Sequence, residues 1–95
     1  MKQLTGWGEH PLAGVTEVVL YTRPGCHLCD EARAILERVR AEASFVLRER
    51  DISSDDALHA RYLERIPVVT INGEEAFELE VDEAVLRERL VRVQR

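Results

Sequence analysis

The feature that most constrains the fold is the cysteine pair Cys26-His27-Leu28-Cys29, which stands between an apolar segment and a helical one. Residues 17–22 are rich in β-branched and aromatic side chains, and Pro24-Gly25 follows them as a turn. From Cys26 onward, apolar residues recur at helical spacing. A cysteine pair at the junction of a strand and a helix can pass between dithiol and disulfide while the fold stays unchanged. Redox chemistry is therefore the leading interpretation.

Length and composition limit what the chain can be. Its 95 residues fit one domain, and 45% apolar with 33% charged residues is typical of a globular protein. The net charge of −5 disfavours nucleic acid as a partner. No apolar run approaches the about 20 residues of a membrane span, and the N-terminus has no stretch of secretory type. The sequence predicts a cytoplasmic protein with no membrane partner, where a Cys-x-x-Cys pair is more often catalytic or metal-binding than structural.

Short β-favouring runs predict four strands. They cover residues 17–22, 45–52, 66–71 and 74–80. Asn72-Gly73 separates the last two runs and is the strongest hairpin signal in the chain, because both residues accept the positive φ of a type I′ turn.

Helical spacing between these runs completes the predicted architecture. One helix follows Cys26, a short one follows the capping residues 53–56, and a last one is capped by Asp82. The order is β-α-β-α-β-β-α, and its first strand–helix–strand unit requires a right-handed crossover and a parallel pair. The sequence predicts an α/β fold in which a four-stranded mixed sheet carries helices on both faces. This single domain spans residues 17–95 and follows an irregular lead-in over residues 1–16.

The spacing of the cysteines suits a reversible disulfide. Two residues three apart in a first helical turn lie on one side of the helix, with Cα atoms about 5–6 Å apart, within disulfide reach. Cys26 is the nearer to the unpaired N–H groups of the helix start, which together with Arg23 lower the pKa of its thiol. Cys26 is then the nucleophile that attacks a substrate disulfide, and Cys29 resolves the mixed disulfide. No prosthetic group is needed, and another thiol or a reductase restores the dithiol.

A second motif, Arg65-Ile66-Pro67-Val68-Val69, lies about forty residues further on and is followed by Asn72-Gly73. Together with the segment from Tyr21 to Cys29 it resembles glutaredoxin-like members of the thioredoxin superfamily, over about residues 18–90. The resemblance implies a thioredoxin-like fold and a cis peptide bond before Pro67, beside the cysteines. It also implies that the backbone of Ile66 pairs with the substrate chain like an added strand. The predicted activity is that of a monomeric thiol–disulfide oxidoreductase.

The predicted substrate-binding residues are Arg23, Arg65, Ile66 and Pro67, with the arginines as carboxylate ligands. Glutathione-dependent members carry a Gly-Gly pair before the last helix, and Glu78-Leu79-Glu80-Val81 stands there in this chain. Two acidic side chains disfavour a tripeptide with two carboxylates. The substrate is predicted to be a disulfide-bearing protein or small molecule. The electron donor is predicted to be a thiol or a thioredoxin-reductase-type partner, with glutathione as the alternative reductant.

Other interpretations of the pair stay open. A structural zinc site requires four ligands at characteristic spacings. Besides the two cysteines the chain offers three histidines that are not spaced as a ligand pair, namely His10, His27 and His59, so no metal site is predicted. The alternative functions are an iron–sulfur cluster carrier, with the cluster bridged between two subunits, and a non-catalytic interaction module with redox-inert cysteines.

Overall fold

A computed structural model describes residues 15–94, and these contain the predicted elements in the predicted order. Most of the predicted lead-in over residues 1–16 lies outside this range, as does Arg95. None of the described helices combines the length and the apolarity that a membrane span requires. The elements are β1 (Glu17–Thr22), α1 (His27–Arg40), β2 (Val46–Asp51), a 3-10 turn (Ile52–Ser54), α2 (Asp56–Tyr62), β3 (Val68–Ile71), β4 (Glu74–Glu78) and α3 (Glu83–Gln94).

The strands form one sheet in the order β2-β1-β3-β4. β1 is parallel to β2 and antiparallel to β3, and β3 is antiparallel to β4. The parallel pair follows from the crossover through α1, and the antiparallel pair from the tight hairpin. The predicted α/β fold with a mixed four-stranded sheet is therefore confirmed.

Three strands are shorter than predicted. β2 covers Val46–Asp51, because its ladder with β1 ends at these residues. β3 begins at Val68 rather than at residue 66, because Pro67 has no N–H to donate to the ladder. β4 ends at Glu78 because Leu79 has a φ of 71°, outside the β region.

The hairpin between β3 and β4 turns on Asn72 and Gly73, as predicted. Their φ angles are 52° and 89°, the positive values that a type I′ turn requires. The Asn72 side chain accepts a hydrogen bond from the backbone N–H of Glu17 at 2.9 Å. The backbone N–H of Asn72 donates to the Glu17 carbonyl at 2.8 Å. The turn is therefore fixed to the start of β1.

Side-chain alternation along the central strands divides the core between the two faces of the sheet. On one face, Leu20 and Val69 pack against Leu36 of α1 and Leu86 of α3. On the other face, Tyr21 and Val68 pack with Tyr62 of α2. Helices therefore lie on both faces, as the sequence predicts, and the second face carries the apolar cluster that includes Cys29.

Surface ion pairs link α1 and the residues just after it to α3. Arg38 lies 2.7 Å from Glu83, and Arg87 lies 2.9 Å from Glu83 and 2.8 Å from Glu42. The hydrogen bond from Arg38 holds the pKa of Glu83 below its usual range, and the bond from Arg87 does the same for Glu42. Exposed pairs of this kind are individually weak and are screened by salt.

We expect this network to make stability depend on pH in acid. A carboxylate whose pKa is lowered by folding stabilises the native state above its unfolded pKa, and that stabilisation is lost as the pH falls through the folded pKa. The free energy of unfolding should therefore fall as the pH drops below about 4.5. Arg87→Gln should make this fall shallower, because Glu83 and Glu42 both lose a partner.

Urea denaturation between about pH 3 and pH 7 measures the effect. Arg92→Gln is the matched control, because the one ion pair of Arg92 within residues 15–94 is with Glu88 on its own helix, at 3.8 Å. The network has no such role if the two variants lose stability in acid along the same curve.

Candidate active site

The two cysteines lie where β1 turns into α1. Gly25 has a φ of 82°, which glycine adopts without steric cost. The backbone N–H of Cys26 donates to the Arg23 carbonyl at 3.3 Å and closes the turn. Cys26 is the N-cap of α1, and Cys29 lies in its first turn. They form a disulfide with Cα atoms 5.2 Å apart, within the separation predicted from helical spacing.

The sulfur of Cys26 caps the helix. Its Sγ accepts a hydrogen bond from the backbone N–H of Cys29 at 3.1 Å, the role that a side-chain oxygen has at most N-caps. This donor belongs to the positive end of the helix dipole, which stabilises negative charge. The position therefore favours the thiolate form of Cys26 once the disulfide is reduced.

The two sulfurs differ in exposure. Cys29 is fully buried, at 0% exposure, and Cys26 is partly exposed. The apolar cluster around Cys29 also contains Ile52, Tyr62, Ile66 and Val68, and Cys26 packs against it. A second molecule can approach the sulfur of Cys26, whereas protein atoms cover that of Cys29.

The segment before β3 lies at the same end of the sheet. The Ile66–Pro67 peptide bond is cis, as the family resemblance implies. β1 and β3 pair Tyr21 with Val68, and this register places Pro67 at the end of β1 from which the cysteine turn departs. Pro67 is fully buried, and Ile66 shares the apolar cluster with the cysteines.

The backbone groups of Ile66 are used unequally. Its N–H donates to the carbonyl of Tyr62, at the end of α2, at 3.1 Å. Its carbonyl accepts no hydrogen bond from any residue between 15 and 94. A strand-like pairing would use both groups, and within the described residues only the carbonyl is left for an incoming chain.

Arg65 is held by two carboxylates of β4. Its Nε donates to Glu78 at 2.9 Å and its Nη2 donates to Glu75. The guanidinium also lies over the ring of Tyr62, 5.4 Å from the centroid. The bond to Arg65 lowers the pKa of Glu75. The predicted binding of a substrate carboxylate by Arg65 would have to displace both glutamates.

Glu75 and Glu78 are neighbours of the site that the sequence does not predict. They reach Arg65 because the β3–β4 ladder has an irregularity between Val69 and Thr70, which the sequence pattern does not indicate. The sequence pattern predicts Tyr62 as a core or rim residue on the apolar face of α2, and the side chain is buried there. Tyr62 stacks on Tyr21 with ring centroids 4.6 Å apart, and burial raises the pKa of its hydroxyl.

Arg23 lies in a separate recess of about 250 Å³ at the carboxyl ends of β1 and β2. Arg33 in the same recess is already bound to Glu49 at 2.7 Å and to Asp30 at 2.8 Å. The recess of Arg23 includes β2 residues, whereas Arg65 contacts β4, so the two predicted arginines lie towards opposite edges of the sheet. They do not form one carboxylate clamp.

Comparison with known proteins gives the family. The family model described as "Glutaredoxin-like domain (DUF836)" matches residues 17–91. The chain belongs to this glutaredoxin-like family. An uncharacterized protein of Mycobacterium tuberculosis is 32% identical to this glutaredoxin-like protein over 81 residues, which cover 80% of this chain and 84% of the relative.

Solved structures share the fold of this glutaredoxin-like protein. An X. campestris protein, solved by X-ray, superposes with a TM-score of 0.68 at 33% identity, over 79% of this chain and 96% of its own. A thioredoxin from Halobacterium salinarum superposes with a TM-score of 0.66 over 84% of this chain and 75% of its own. At 16% identity the thioredoxin shows the fold alone. The thioredoxin-like fold is therefore confirmed, and with the Cys26–Cys29 pair it indicates redox chemistry.

Within residues 15–94, no three side chains of His, Cys, Asp or Glu come together as a ligand set.

Proposed function

We propose that this glutaredoxin-like protein is a thiol–disulfide oxidoreductase that reduces disulfides through Cys26 and Cys29. The observation that carries the proposal is the contrast within the pair. A partly exposed sulfur caps a helix, and a buried sulfur lies within disulfide distance of it. The first can react with another molecule, and the second can react only with the first.

The reaction has two exchange steps. In the reduced protein the Cys26 thiolate attacks one sulfur of the substrate disulfide, forming a mixed disulfide and releasing the other sulfur as a thiolate. The Cys29 thiol then loses its proton and attacks the Cys26 sulfur. The Cys26–Cys29 disulfide forms, and the second substrate sulfur leaves and takes up a proton. Two electrons pass from the pair to the substrate.

Neighbouring groups position the substrate in this proposal. The Ile66 carbonyl accepts a backbone N–H of the bound chain, and buried Pro67 fixes the direction of that carbonyl. Arg23 adds positive charge on the side of the turn that faces β2. Arg65 holds β4 against the Ile66–Pro67 segment through its two glutamates.

Regeneration requires an external electron donor. A thiol or a thioredoxin-reductase-type partner reduces the Cys26–Cys29 disulfide by the reverse exchange, and the cycle uses no prosthetic group. A reducing cytoplasm is the compartment in which such a pair would cycle.

Trapping of the mixed disulfide tests the roles of the two cysteines. Cys29→Ser should accumulate a covalent adduct with a disulfide-linked peptide, because the resolving thiol is absent. Intact-mass spectrometry measures the adduct, and addition of a dithiol should remove it. Cys26→Ser is the matched control and should form little adduct, since Cys29 is buried. The assignment is wrong if the two variants are modified at the same rate.

A further inference from the structure

A groove of about 130 Å³ lies beside the cysteine turn, between α1 and the segment that joins β4 to α3. Leu28 and Leu79 stand on its two sides and are 46% and 47% exposed. Glu31 and Glu80 form the rest of its rim. The remaining lining residues, Ala32, Ile35 and Val81, are apolar. The groove is therefore an apolar slot for about one side chain with an acidic border.

The groove is joined to the segment that carries the cis proline. Leu79 has a φ of 71°, a conformation that leucine rarely adopts. Its backbone N–H is directed at two carbonyls, that of Pro67 at 2.8 Å and that of Arg65 at 3.1 Å. These bonds hold one wall of the groove against the Ile66–Pro67 segment. The other wall contains Leu28, which lies between the two cysteines in sequence. The groove therefore borders the turn that carries the cysteines.

The charge around the groove is negative. Glu31 and Glu80 are exposed, and Glu31 contacts only the exposed His27, at 3.0 Å, among the described residues. The nearby Arg65 does not offset this charge, because Glu75 and Glu78 both bind it. A carboxylate beside the groove would be repelled, and a cationic side chain would be attracted.

We infer that this groove selects disulfide-bearing peptide segments in which an apolar residue lies near the reactive cysteine with Lys or Arg next to it. The inference rests on the proposed function and names the substrate class of the same site. The apolar side chain enters between Leu28 and Leu79, and the basic side chain meets Glu31 and Glu80. Glutathione, with two carboxylates and no apolar side chain, fits this surface poorly.

The test compares two peptide disulfides that differ in one residue. Both carry leucine beside the cysteine, and one has arginine where the other has glutamate. With wild-type protein, kcat/KM should be about 10-fold higher for the arginine peptide at low ionic strength. The difference should shrink as salt screens the exposed charges. Reduction of the neutral hydroxyethyl disulfide reports the exchange chemistry separately.

Charge variants test whether Glu31 and Glu80 cause the preference for the arginine peptide. Glu31→Gln with Glu80→Gln should bring the ratio of the two kcat/KM values to within about 2-fold of one. The ratio cancels any change in chemistry that both peptides share. The matched control is Glu37→Gln with Glu88→Gln, which changes the net charge equally at exposed helix positions outside the groove. This control should keep the wild-type ratio.

Leu79→Asn tests the apolar part, because asparagine tolerates positive φ and removes the apolar wall. It should abolish the preference for a leucine peptide over its alanine counterpart. The inference is overturned if hydroxyethyl disulfide is reduced but both peptides react equally, or if the charge variant and its control behave alike. Failure to reduce any disulfide overturns the proposed function and the inference with it.

Discussion

Replacing Cys26 with serine is expected to lower the rate of disulfide reduction by at least about 1,000-fold. The thiolate is the attacking species in disulfide exchange, and a serine hydroxyl stays protonated and unreactive towards sulfur. The chain has only two cysteines, and Cys29 is fully buried. It therefore offers no second accessible thiol. Turnover of hydroxyethyl disulfide with a regenerating dithiol measures the loss.

Serine at position 26 should preserve the cap of α1, so that the variant differs from the wild type mainly in its missing thiol. Its hydroxyl can accept the hydrogen bond that the Cys26 sulfur now accepts from the backbone N–H of Cys29. We therefore expect circular dichroism and thermal unfolding of this variant to match the reduced wild type. A variant that folds and still turns over within about 10-fold of the wild-type rate would show that Cys26 is not the nucleophile.

Leu36→Ala is expected to lower the free energy of unfolding by about 3 kcal/mol. Leu36 is 0% exposed and packs from α1 onto the face of the sheet that α3 also covers. Truncation loses the burial of three carbons and leaves a cavity that the strands cannot fill. In a domain of this size the loss corresponds to a fall in melting temperature of about 10–20 °C.

Leu28→Ala is the matched control on the same helix. Leu28 is 46% exposed, so the same substitution should cost less than about 1 kcal/mol. Urea denaturation of both variants in the same redox state measures the two losses, and unchanged m values would show that the denatured states are comparable. Equal losses would contradict the placement of Leu36 in the core and of Leu28 on the surface of α1.

The fold could be predicted because its main signals are local. The apolar run of β1, the Pro24-Gly25 turn and the Asn72-Gly73 hairpin each restrict the backbone over a few residues. The Cα separation of the cysteines followed from helix geometry alone. These features need no knowledge of distant neighbours, so a single sequence was sufficient for them.

The surroundings of the cysteines depend on distant contacts and were not predictable. Glu75 and Glu78 are three residues apart on β4, so regular alternation would point them to opposite faces. The irregular register instead pairs Glu75 with Thr70 and Glu78 with Val68, two residues that share a face of β3. The unusual φ of Leu79 likewise accompanies hydrogen bonds from its N–H to residues more than ten positions earlier. The hydrogen bond from the Ile66 N–H to the Tyr62 carbonyl depends on the position of α2, which the sequence does not give.

The charges on the outer strands bear on how copies of the protein meet each other. Among the described strands β2 and β4 are the edge strands of the sheet, and unpaired edge strands are templates for self-association. β4 carries three exposed glutamates in five residues, and most of β2 is charged. Two copies meeting through β4 would bring like charges together. This repulsion opposes aggregation by strand addition at high concentration. It leaves the end of the sheet where the cysteines lie open to a substrate.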